Sequence, residues 1–145
     1  MKVTEHLKVS NHKFYQYLID QVLKDIEKST KKALKPEEIM DGYNYVKKVK
    51  MSNGKTYSLN ITVGPIVEDK YYELSYESPT AVNKYYYDIR KMDDNSIDVT
   101  YFEENSAKGS LNNWIHQFKK KLSQKSIEMK ISNSLRQMEK IIIEG

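Results

Sequence analysis

From Tyr43 to Tyr101 the sequence alternates apolar and polar residues with a period of two, and no other feature narrows the possible folds so far. Successive side chains of a strand point to opposite faces, so such a run buries one face of a sheet and wets the other. Tyr57, Leu59, Ile61 and Val63 alternate with Ser58, Asn60 and Thr62, the cleanest case. Tyr72, Leu74 and Tyr76 follow, then Tyr85, Tyr87 and Ile89, where Tyr86 blurs the pattern, and finally Ile97, Val99 and Tyr101. Turn residues divide the run at Ser52-Asn53-Gly54, Gly64-Pro65, Ser78-Pro79 and Asp93-Asp94-Asn95. With Tyr43, Tyr45 and Val49 leading in, the expectation is an antiparallel meander of five strands.

Ahead of the meander, Val3, Leu7 and Val9 alternate with polar residues around one charged interruption, Glu5, as for a short strand. Ser10 offers an N-cap oxygen. From Asn11 to about Lys28 the residues Phe14, Leu18, Ile19, Val22, Leu23 and Ile26 share one side of a helical wheel. Pro36-Glu37-Glu38 reads as the first turn of a second, shorter helix, ended by Gly42. Behind the meander, Ser110 to about Ile143 contains neither Gly nor Pro and reads as helix. Its apolar stripe changes sides: Leu111, Ile115 and Phe118 lie within about 40° of Leu122, whereas Ile127, Ile131, Leu135, Met138 and Ile142 lie about 140° to 220° away. A continuous helix of this length runs about 50 Å, against about 38 Å for a globule of this size. Two readings are open: a break near Ser123 to Ser126, favoured because both stripes are interrupted there, or a straight helix whose second half faces another subunit.

Strand, helix, short helix, meander and long C-terminal helix is the order of the START-like superfamily, also called SRPBCC or polyketide-cyclase-like. The resemblance spans nearly the whole chain. More narrowly, the opening KVSNHKFYQYLIDQVLKDI, the step Lys35-Pro36-Glu37-Glu38-Ile39 into Gly42-Tyr43, and the segment IDVTYFEE resemble an uncharacterised bacterial family within that superfamily. The resemblance implies one α+β domain over residues 1–145 with the helix-grip fold: a curved antiparallel sheet of about six strands, two short helices in the N-terminal half, and a long C-terminal helix. It also implies a cavity between the hollow of the sheet and that helix, a place for apolar or amphipathic small molecules. It carries no catalytic residues, because the superfamily shares a shape more than a chemistry.

The tyrosines bear on that cavity, since the chain holds twelve against three phenylalanines. A dry core favours Leu and Phe, because a buried phenol without a hydrogen-bond partner costs on the order of 1–3 kcal/mol. The candidate ligand-binding residues are therefore Tyr45, Tyr57, Leu59, Ile61, Tyr72, Leu74, Tyr85, Tyr87, Val99 and Tyr101, with Trp114, Ile115 and Phe118 closing the pocket from the last segment. The rival reading is that tyrosine is a good strand residue whose hydroxyl reaches solvent at the sheet edge. A second candidate surface is the displaced stripe Ile127, Ile131, Leu135, Met138 and Ile142, suited to a homodimer or to a protein partner of the kind met by the chaperone-activator branch of the superfamily.

Catalysis has the least support. Glu103 shares the inward parity of Val99 and Tyr101, as a general base would, and His116 lies one helical turn from Asn112, but neither belongs to a recognisable constellation. No catalytic residue is assigned, and a cyclase or hydrolase activity ranks last. His6, His12 and His116 have no carboxylate at a spacing that specifies a metal site, and no glycine pattern cradles a phosphate, so neither metal nor cofactor is expected. The net charge of +4 is carried beyond Ser110, where seven basic residues face three acidic ones, so the sheet region is neutral and nucleic acid is not an expected partner. The chain has no cysteine, no secretory apolar core and no apolar run near ~20 residues, which together suggest a cytoplasmic protein without a membrane span.

Overall fold

The computed structural model describes residues 1–107 and 124–145. In chain order they form β1 (Lys2–Leu7), α1 (Asn11–Thr30), a short 3-10 turn (Pro36–Glu38), β2 (Tyr43–Lys50), β3 (Thr56–Val67), β4 (Tyr71–Glu77), β5 (Ala81–Asp93), β6 (Ser96–Ala107) and α2 (Gln124–Glu144). The six strands make one sheet in the order β1-β6-β5-β4-β3-β2, antiparallel throughout. Strands β2 to β6 are thus a plain meander, and β1 is added beside β6. The architecture is the helix-grip fold, with a helix near the N-terminus and another at the C-terminus.

Registry places the period-two residues on a single inner face. Tyr72 pairs with Tyr87 and Tyr87 with Tyr101, which gives one cross-strand row; Leu74, Tyr85 and Glu103 form the next. Ile61 and Tyr76 continue a third row from Tyr45 on β2. Helix α1 crosses this face over β2, β4 and β5, burying Phe14, Leu18, Ile19, Val22 and Ile26. Its first turn is capped as the sequence suggests, with the Ser10 hydroxyl oxygen accepting from the Lys13 amide at 3.1 Å. Tyr86 blurs the alternation because it serves the other face, where its ring stacks on Phe102 at 4.7 Å and lies 5.6 Å from Tyr71.

Three expectations are corrected. Gly64-Pro65 does not end β3: the strand runs on to Val67 through a cis Gly64-Pro65 bond, and its pairing with β4 shifts register between Val63 and Ile66. A bulge tolerates proline because residues there leave the ladder. Gly64 adopts φ +110, and a Cβ at that position would stand 3.0 Å from the Asp41 backbone, so glycine is required for this close approach. The second helix is only the 3-10 turn Pro36–Glu38, since Ile39 already has extended φ and ψ of −83° and 111°.

The third correction concerns α2. Its stripe is not free: Leu135 is 1% exposed, and Ile131, Met138 and Ile142 pack against the same core, with Ile127 half-buried. The helix lies on β1 and touches α1. Glu5, the charged interruption of β1, lies on the inner face opposite Val99, where its carboxylate accepts from the Arg136 guanidinium of α2 at 2.8 Å. Whether helix continues through Ser123 into the first half of the segment lies outside the described residues.

Candidate functional site

The ten candidate residues of the sheet, Tyr45, Tyr57, Leu59, Ile61, Tyr72, Leu74, Tyr85, Tyr87, Val99 and Tyr101, all share the inner face by register. They divide by depth. Tyr45, Ile61, Tyr72 and Val99 are buried in the core, whereas Tyr57, Leu59, Leu74, Tyr85, Tyr87 and Tyr101 are partly exposed. Trp114, Ile115 and Phe118, expected to close the face, and His116 lie outside the described residues.

Rings on this face touch in a continuous chain. Phe14 of α1 meets Tyr87 edge-on at 5.9 Å; Tyr87 lies 6.1 Å from Tyr72 and 5.2 Å from Tyr101; Tyr101 stacks on Tyr85 at 6.3 Å; and Tyr85 meets Tyr76 edge-on at 5.3 Å. Tyr76 was absent from the candidate set, although its parity with Tyr72 and Leu74 was the available signal. Among the described residues, the hydroxyls of Tyr72, Tyr76, Tyr85, Tyr87 and Tyr101 have no hydrogen-bond partner, whereas Tyr45 donates to Asp25 at 2.6 Å. Burial lifts all of these phenols above the ordinary tyrosine range, and Tyr85, with Glu103 beside it, is pushed up to about 12. The charge of Glu103 acts on Tyr101 as well, so the half-buried carboxylate stands at the polar end of the tyrosine cluster.

At the other end, Asp25 of α1 ties the helix to the sheet. Its two oxygens accept from the Tyr45 hydroxyl at 2.6 Å and the Lys47 ammonium at 2.7 Å. Since Tyr45 is only 4% exposed, Asp25→Ala strands a buried hydroxyl and is expected to cost about 1–3 kcal/mol in urea denaturation. Asp25→Asn, which keeps an acceptor, is expected to recover part of that loss.

These features belong to a recognised family. A family model described as "Domain of unknown function (DUF3284)" matches residues 1–126. The chain belongs to the DUF3284 family. The match ends just inside α2, so most of that helix lies beyond the family's matched span. Among curated proteins no sequence matches this DUF3284 chain. Solved structures do resemble it: a Rhizobium loti protein (TM-score 0.59, 12% identity, covering 92% of this chain and 94% of that one), Ara h 8.0201 (0.58, 11%, 100% and 97%), and a START superfamily protein from Mycobacterium smegmatis (0.53, 9%, 100% and 94%). At such identities the likeness carries the fold alone. This DUF3284 chain therefore has the START-like helix-grip fold. Among the described residues no helix is long and apolar enough to cross a membrane.

Proposed function

We propose that this DUF3284 protein, as a single START-like domain over residues 1–145, binds an apolar or amphipathic small molecule without catalysing a reaction on it. The ligand lies on the inner face of the sheet, against Tyr57, Leu59, Leu74, Tyr85, Tyr87 and Tyr101. The observation that carries this reading is the set of five phenols sharing one ring network whose hydroxyls have no partner among the described residues. A dry core gains nothing from such hydroxyls, whereas a ligand with a carbonyl, ether or hydroxyl group supplies their acceptors. The reading of α2 as a partner surface has lost its free stripe, because Leu135 is buried within this chain. A cysteine-free chain is suited to a reducing cytoplasm, where we place this function.

The test is titration with a fluorescent apolar probe, read through the single tryptophan, followed by native mass spectrometry of protein purified gently from cells. Saturable quenching and a retained small molecule support the proposal; unchanged emission with consistently empty protein removes it. Tyr85→Phe and Tyr101→Phe sharpen it through two opposite effects. Each deletes a hydroxyl that lacks a partner among the described residues, so the empty protein is expected to keep or gain up to about 1 kcal/mol of stability. Each also removes a donor to the ligand, so affinity for a hydrogen-bonding ligand is expected to fall about fivefold, while a purely hydrocarbon probe binds as before.

A further inference from the structure

We propose that His12, Glu68 and Asp69 form a binding site for a divalent transition-metal ion, outside the hollow of the sheet. The three come from distant parts of the chain: His12 from the first turn of α1, Glu68 and Asp69 from the turn between β3 and β4. Each offers one ligand atom, and these atoms all lie within 4.8 Å of one another. His12 Nδ1 and Asp69 Oδ1 are already 3.0 Å apart. Asp69 sits at φ +61, in the left-handed region that few side chains other than glycine occupy, and this turn is where its carboxylate meets the helix.

The cluster stands at a cleft of about 550 Å³ between α1, the 3-10 turn and the end of β3. His12 and Glu68 line it, together with Asp20 and Glu37, so the setting is strongly acidic. Independent of the cluster, Tyr15 lines the same cleft while being only 8% exposed. Its hydroxyl lies within reach of the charges of Glu68 and Asp69, yet among the described residues it has no hydrogen-bond partner. A water on a metal ion held by those carboxylates supplies that partner.

The donor set selects the ion. One imidazole nitrogen with two carboxylates suits zinc and its first-row neighbours better than magnesium or calcium, which prefer oxygen alone. Ligand atoms around such an ion, at about 2.0–2.2 Å from it, stand about 3–3.5 Å apart, so the cluster must tighten slightly. The side chains of His12 and Asp69 are 53% and 28% exposed, which leaves them room to turn inward. Three protein ligands leave further positions open toward the cleft.

The experiment is calorimetric titration of the chelator-treated full chain with zinc alone, accompanied by NMR of the histidine ring signals. One saturable equivalent and a shift of the His12 ring support the site. His12→Ala, Glu68→Gln and Asp69→Asn are each expected to weaken zinc about tenfold or more, since even outer-shell changes act on that scale. His6→Ala is the control: His6 pairs with Asp98 at 2.8 Å but belongs to no three-ligand cluster among the described residues, and its loss is expected to leave binding intact. Zinc-free melting curves of the variants that match the parent establish that the fold survives. No saturable binding at millimolar zinc, undiminished binding in all three variants, or loss of binding in His6→Ala overturns the proposal.

Discussion

Leu135→Asp is expected to leave the protein unfolded or molten at room temperature, and Leu135→Ala to cost about 3 kcal/mol. Leu135 is the most buried residue of α2, at 1% exposed, and it enters the same core as Leu7, Phe14, Ile97 and Val99. An alanine there loses the transfer energy of the side chain and leaves a void; an aspartate puts a charge among the apolar side chains of the core. The contrast is Ile143, on the same helix but 62% exposed, where aspartate is expected to change stability by no more than about 0.5 kcal/mol. Urea denaturation followed by far-UV circular dichroism measures all three. A Leu135→Ala cost below about 1 kcal/mol would show that α2 is not seated on β1 in solution.

High pH provides the second large effect. Several phenols of the inner face, Tyr72, Tyr76, Tyr85, Tyr87 and Tyr101, have folded-state pKa values raised by burial above the ordinary value of 10.0. For a group whose folded pKa is raised, the stabilising contribution is complete below the unfolded value and is lost as pH climbs through the folded one. Stability is therefore expected to be flat with respect to these groups below about pH 10 and to fall steeply above it, through the value of about 12 for Tyr85. Because ionisation of one phenol charges its neighbours' surroundings, unfolding should be abrupt rather than gradual. Phenolate absorbance at 295 nm and circular dichroism are expected to change together for the buried set. A smooth phenolate titration centred near pH 10 with ellipticity unchanged would mean that these rings are open to water.

The sequence made the inner face legible because period two is a geometric property of strands, independent of tertiary detail. Every sheet residue singled out by parity shares that face, from Tyr45 to Tyr101. The helix α1 was equally plain, since Ser10 and the Phe14 to Ile26 stripe are local signals. What failed depended on partners far away in the chain. Gly64-Pro65 reads as a stop because proline lacks an amide, and only the bulge opposite β4 shows why none is needed. The α2 stripe has a direction on a helical wheel but no address, so intramolecular packing on β1 and docking to another molecule look alike. The anomaly that could have decided it was Glu5, a carboxylate between the apolar Val3 and Leu7 of β1, which finds Arg136 on α2. His12 has no carboxylate neighbour legible in the sequence because Glu68 and Asp69 are brought close to it only by the turn after β3.

The way α2 lies along β1 bears on solubility. A sheet of six strands has two open borders, and each is a template for unwanted pairing with another chain. At the β2 border, Lys47, Lys48 and Lys50 deter an incoming strand by charge. At the β1 border the helix acts directly on the backbone: Arg136 donates to the His6 carbonyl at 2.8 Å, and Glu139 accepts from the Lys8 amide at 2.6 Å. The last helix is thus also a shield, and a chain cut before it would present a bare strand with an apolar flank, the recipe for aggregates rather than for a smaller soluble protein.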